Sequence, residues 1–158
     1  MGAESCLRTI QAQLNELLQD PPPGVNAGPT DDQDIMSWTG MLAGPPGTPY
    51  EGGVFMLDIA FPPTYPYDPP SVRFTTPIYH PNVNEKGDIC LSILFQNCSW
   101  DTGWSPALTI SSVLLSLLIL LQEPNTDHSL RPELAQQYLQ DKESYMAACR
   151  EATRAHAM

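Results

Sequence analysis

Between Ile110 and Leu121 the sequence runs for twelve residues with nothing more polar than three serines. A bilayer crossing needs about 20 apolar residues, so this segment is too short to span a membrane and no membrane partner is expected. Apolar on nearly every side and continued to Gln122, it is predicted to be a helix buried at the centre of a folded domain.

The surrounding patterns suggest what covers it. Leu7, Ile10, Leu14, Leu17 and Leu18 recur at three- and four-residue spacing, the mark of an amphipathic helix over roughly Glu4 to Gln19. Asp20-Pro21-Pro22 ends it, because proline disfavours the helical conformation in the residue before it. Three strand-like runs follow: Ile35 to Leu42, Val54 to Ile59 and Val72 to Thr75, separated by Gly/Pro turns at near-regular spacing, as in an antiparallel meander. After the apolar segment, Pro132 suits the first turn of a helix reaching about Leu139. Asp141 is placed to cap a last helix that reaches about His156. The order is α+β, in one domain over residues 1–158. A chain of this length buries roughly two-thirds of its unfolded surface and needs no covalent staples. The seventeen prolines sit in short clusters between the patterned segments, as loop punctuation.

Charge and cysteine usage narrow the function. A net charge of −11 argues against nucleic acid, whose binding needs clustered Lys and Arg; it either attracts basic partner surfaces or serves solubility alone. The four cysteines, Cys6, Cys90, Cys98 and Cys149, form no CxxC pair, so neither a zinc site nor a thioredoxin motif is indicated, and no metal or cofactor is expected. No basic region followed by an apolar core opens the sequence, so the expected compartment is the cytoplasm, the nucleus or both, with reduced thiols.

From Thr76 to Pro106 the periodicity is lost, and a stretch of that length inside a compact domain is usually functional. Cys90 lies in its middle. The segment Tyr79-His80-Pro81-Asn82-Val83-Asn84-Glu85-Lys86-Gly87-Asp88-Ile89-Cys90-Leu91 resembles the active-site signature of ubiquitin-conjugating enzymes, in which a His-Pro-Asn tripeptide precedes the catalytic cysteine. Pro63-Thr64-Tyr65-Pro66-Tyr67-Asp68-Pro69-Pro70, Trp104-Ser105-Pro106-Ala107-Leu108 and Glu123-Pro124-Asn125 are similar to further marks of that family, and the resemblance covers about Leu7 to Met158. It implies the ubiquitin-conjugating fold, with a four-stranded antiparallel sheet, an N-terminal helix, the central buried helix and C-terminal helices. It also implies that ubiquitin, a ubiquitin-activating enzyme and a ubiquitin ligase are the partners. Conjugation of another ubiquitin-like protein, or a non-catalytic adaptor of the same fold, are the alternatives.

By the same resemblance Cys90 is the nucleophile that carries ubiquitin as a thioester, where a cysteine read alone is as readily a buried structural residue. Asn82 either stabilises the oxyanion formed during transfer or braces the loop. His80 is expected to hold the loop rather than act as a base, and Pro81 to fix the turn. Tyr65-Pro66 matches a peptide that is usually cis. Arg8, Tyr67, Ser105, Pro106 and Ala107 would face the ligase and activating enzyme, and Leu115 the donor ubiquitin.

Four departures from the family pattern bear on the acceptor and on charging. Lysine-reactive relatives carry an acid where this chain has Ser92, and another where it has His128, next to Asp127. A lysine acceptor must lose a proton, which acids help to remove. Their absence points to transfer onto a ligase thiol, with HECT-type or RING-between-RING ligases favoured and RING ligases left open; the alternative is that His128 or Asp127 still serves a lysine, and these two with Ser92 are the candidate acceptor-positioning residues. The stretch Phe95 to Gly103 is longer by several residues than in the simplest members, and is either a tolerated insertion or a shaper of acceptor choice. Arg8 is the only basic residue of the first helix, which should slow association with an acidic activating-enzyme surface. The chain also holds only two lysines, Lys86 and Lys142.

Overall fold

The computed structural model describes residues 3–158. Helix α1 (Ala3–Gln19) is followed by strands β1 (Val25–Asp31), β2 (Asp34–Ala43), β3 (Val54–Ala60) and β4 (Ser71–Phe74). Then come a 3-10 turn (Ser92–Leu94), α2 (Ile110–Gln122), a second 3-10 turn (Thr126–His128), α3 (Pro132–Gln140) and α4 (Lys142–His156). The strands pair in chain order, each antiparallel to the next, so the meander and the α+β class expected from the sequence are what is found.

The strand that periodicity did not locate is β1. Gly28 and Pro29 sit inside it and depress its strand character. It forms because it is an edge: Pro29 lies opposite Trp38, and the pairing slips between Pro29 and Asp31. An edge strand tolerates a residue that cannot donate to the ladder.

One face of the sheet is apolar. Trp38 and Leu42 of β2, Phe55, Leu57 and Ile59 of β3, and Val72 and Phe74 of β4 are all buried. Against them lies α2, burying Ile110, Val113, Leu114, Leu117, Leu120 and Leu121. Thr109 caps α2 by accepting the Ser112 N–H at 3.2 Å, and the Ser112 hydroxyl accepts the Thr109 N–H in return. This reciprocal pair satisfies two end groups of a helix with few polar residues. The helix is not buried all round. Leu115 is 42% exposed, and Ile119, one turn further on, is 62% exposed. Truncating a fully buried leucine costs about 2–5 kcal/mol. Leu117→Ala is therefore expected to lose that much stability in denaturant titration, whereas Ile119→Ala should lose less than about 1 kcal/mol.

Candidate active site

Between β4 and the first 3-10 turn the chain has no regular element, and side chains supply the hydrogen bonds that a ladder would have made. Asn84 Oδ1 accepts the N–H groups of Lys86 at 3.0 Å and Asp88 at 2.9 Å. Gly87 completes this turn at φ +90°, and a Cβ there would run into the Phe74 carbonyl. With glycine present, the Gly87 carbonyl instead accepts the Phe74 N–H at 2.9 Å, laying the loop against β4.

His80 anchors the other side. Its ring is fully buried, with Nε2 2.8 Å from the Leu120 carbonyl in the last turn of α2. Nδ1 accepts the Asn82 N–H at 3.0 Å, so the ring proton sits on Nε2, which donates to Leu120. Burial pushes the imidazole down to about 4, against a smaller raising effect of the Leu120 hydrogen bond. The ring is thus neutral near pH 7. Between pH 4 and the unfolded value of about 6.5, only the unfolded chain binds the proton. Stability therefore rises with pH across that window, is complete above it, and falls by about 3 kcal/mol as the pH drops through it. Denaturant titrations at pH 4.5 and 7 should show most of this slope lost in His80→Gln.

The Pro81 carbonyl accepts the N–H groups of Leu130 at 2.9 Å and Arg131 at 3.0 Å. The buried Asn82 side chain binds the same distant loop. Its Oδ1 accepts the Asn125 N–H at 2.9 Å, and its Nδ2 donates to the carbonyls of Asn125 at 2.8 Å and His128 at 3.0 Å. Both amide hydrogens are therefore already committed to the backbone. The Asn82 carbonyl in turn accepts the Cys90 N–H at 2.8 Å. One residue thus ties the backbone at Cys90 to the loop at 125–128.

Cys90 is half-buried. Its thiol is pushed up, first by burial and then by the neighbouring Cys98 thiol, both acting against the thiolate. All four cysteines are free, with Cys6 and Cys149 buried and Cys98 half-buried. A family model described as "Ubiquitin-conjugating enzyme" matches residues 9–153.

The chain belongs to the ubiquitin-conjugating enzyme family.

Within this family member the long stretch after Cys90 closes on itself, with Trp104 N–H donating to the Phe95 carbonyl at 2.8 Å. From its tip the Trp100 indole stacks on the His128 imidazole, ring centroids 4.0 Å apart and planes 13° from parallel. Ser92 is buried, at 8% exposure, so it offers an acceptor little surface. Asp127 is exposed, its N–H donating to Asn125 Oδ1 at 3.2 Å. Ser92, Asp127 and His128 therefore differ widely in access, although the sequence grouped them.

Tyr67 is 55% exposed, Pro106 and Ala107 are exposed, and Ser105 is half-buried, its Oγ accepting the Ala107 N–H at 3.2 Å. The Trp104 indole donates to the Pro66 carbonyl at 2.7 Å, joining their two loops. The Tyr65–Pro66 bond is cis, as the resemblance implied. Arg8 is exposed on α1. Sequence reasoning missed Gln13. Buried on α1, its Oε1 accepts the Tyr65 hydroxyl at 2.6 Å and the Ile110 N–H at 3.0 Å, fixing the start of α2 to both α1 and the Tyr65 loop. A glutamine among exposed helix positions carries no pattern that marks it for burial.

Proposed function

We propose that this chain, as a single catalytic domain over residues 1–158, accepts ubiquitin from a ubiquitin-activating enzyme as a thioester on Cys90. It then delivers the ubiquitin with a ubiquitin ligase. The observation that carries the reading is Cys90 itself: a free, half-buried thiol on a loop held by buried hydrogen bonds. In the charging step the Cys90 thiolate attacks the carbonyl of ubiquitin already bound to the activating enzyme's cysteine. One thioester forms as the other breaks, so the raised basicity of Cys90 is tolerable in an exchange between sulfurs.

Asn82 braces the acceptor-side loop in this reading. Its committed amide hydrogens support that role over oxyanion contact, which would require one of them to be released. His80 is structural, being buried and neutral. Tyr67, Pro106 and Ala107 offer an exposed apolar surface of the kind that marks partner sites, and Leu115 with Ile119 offers another for the donor ubiquitin. The lack of acids at Ser92 and His128 favours a ligase thiol over a substrate lysine as acceptor, hence HECT-type or RING-between-RING ligases.

The test is incubation with ubiquitin, ubiquitin-activating enzyme and ATP, followed by discharge to free lysine or free cysteine. A band of higher mass that disappears with reducing thiol is expected, with discharge faster to cysteine. Its absence would support the non-catalytic adaptor; charging by another ubiquitin-like protein alone would support the other alternative.

A further inference from the structure

We propose that Trp100 sets the acceptor preference of the Cys90 thioester: stacked on the His128 imidazole, its indole holds that ring away from an incoming amine and so biases transfer toward thiols. This rests on the thioester reading above and deepens it.

The placement comes first. The His128 carbonyl is held by Asn82 Nδ2 at 3.0 Å, and the Asn82 carbonyl holds the Cys90 N–H at 2.8 Å. The 126–128 turn and the Cys90 backbone are therefore tied to one residue. Trp100 reaches this turn from the loop that follows Cys90 and the Ser92–Leu94 turn. The same loop brings the Cys98 thiol near enough to Cys90 to disfavour its ionisation. Closed at its base by the Trp104–Phe95 hydrogen bond, the loop carries Trp100 onto the turn that Asn82 ties to the Cys90 backbone.

The chemistry separates the two acceptors. When a thiol receives the acyl group, the carbon–sulfur bond to Cys90 breaks, a new carbon–sulfur bond forms, and the acceptor's proton ends on Cys90. No proton is left over. When a lysine ammonium receives it, a carbon–nitrogen bond forms, one proton goes to the Cys90 sulfur, and a second must go to a base or to water. A base beside the site therefore matters to the amine and not to the thiol. Besides the exposed Asp127 carboxylate on the same turn, the His128 imidazole is a side chain that can take this proton, provided a ring nitrogen turns toward the acceptor. The nearly parallel stack at 4.0 Å opposes that turn, by a factor of about two to twelve for an aromatic pair.

The test compares discharge of charged protein to free lysine and to free cysteine. The ratio of the two rates is used because only molecules that have folded and charged contribute to either. Trp100→Ala is expected to raise the lysine-to-cysteine ratio about three- to tenfold. Trp100→Phe, which keeps a stacking face, should stay near the parent ratio. Adding His128→Ala to Trp100→Ala should remove the gain, and His128→Ala alone should not produce one. If Trp100→Ala yields no charged protein, Trp100→Leu, which fills space without a flat face, carries the same expectation.

An unchanged ratio without Trp100 overturns the inference. So does an equal gain from His128→Ala alone, since the pair would then act only as a wall. Failure of the parent chain to charge on Cys90 is separate: it sinks the thioester reading, and this inference with it.

Discussion

Cys90→Ala is expected to abolish the thiol-sensitive ubiquitin adduct completely while changing stability by no more than about 0.5 kcal/mol, because the side chain is half exposed and small. Two of the other three thiols are out of reach by position. Cys6 and Cys149 are buried in the core, and Cys149 is packed against the Tyr50 hydroxyl. Cys98 is half-buried and near Cys90, so Cys98→Ala is the necessary companion variant. It should charge at least as fast as the parent, since removing a neighbouring thiol removes one of the two effects that disfavour the Cys90 thiolate. Cys90→Ser should give at most an ester that resists reducing thiol. Because burial raises the Cys90 thiol, the thiolate is a minor species at neutral pH, and charging should accelerate by up to about tenfold per pH unit on the alkaline side. Non-reducing gels and intact-mass measurement read all of these. An adduct of unchanged yield on Cys90→Ala would place the chemistry elsewhere.

Asn82→Asp is expected to be worse than Asn82→Ala, although it is nearly the same shape. In the parent, Nδ2 points at two backbone carbonyls, those of Asn125 and His128. Aspartate would aim an oxygen at both from a fully buried position. The cost at pH 7 should be about 3 kcal/mol or more, against about 1–3 kcal/mol for alanine, which leaves the partners unpaired but adds no charge. Burial, with one oxygen kept on the Asn125 N–H but the other facing two carbonyls, raises a carboxyl above its usual range. A raised carboxyl contributes stability below its unfolded value and loses it as pH rises through the folded value. The deficit relative to the parent should therefore shrink as the pH falls toward 4. Melting curves at pH 4.5 and 7 decide this, and discharge rates should fall in both variants as the 125–128 loop loosens. Equal stability of the two variants across that range would mean that Asn82 does not brace the loop.

The parts legible in the sequence were local. Helix α1 starts and ends within a residue of where its leucine spacing and Asp20-Pro21-Pro22 place it, and Asp141 caps α4 by accepting the Ser144 N–H at 3.3 Å. The order of His80-Pro81-Asn82 before Cys90 was readable because a loop signature is contiguous. Strand β1 was not located, since its Gly28 and Pro29 are acceptable only at an edge, and edge status depends on which strands lie beside it.

Local spacing and burial-seeking composition thus determined most of the elements and the central helix, while the residues that could carry chemistry were named by the family resemblance of a contiguous loop. Tertiary structure decided what those residues touch. His80 meets Leu120 forty residues away, and Asn82 meets the backbone of His128 forty-six residues away. Gln13 joins two elements as a buried acceptor, and Trp100 finds the ring of His128. Each of these pairings is settled by how the loops close over the sheet and α2, and contacts between residues so far apart leave no period or spacing in the chain for a reader to find.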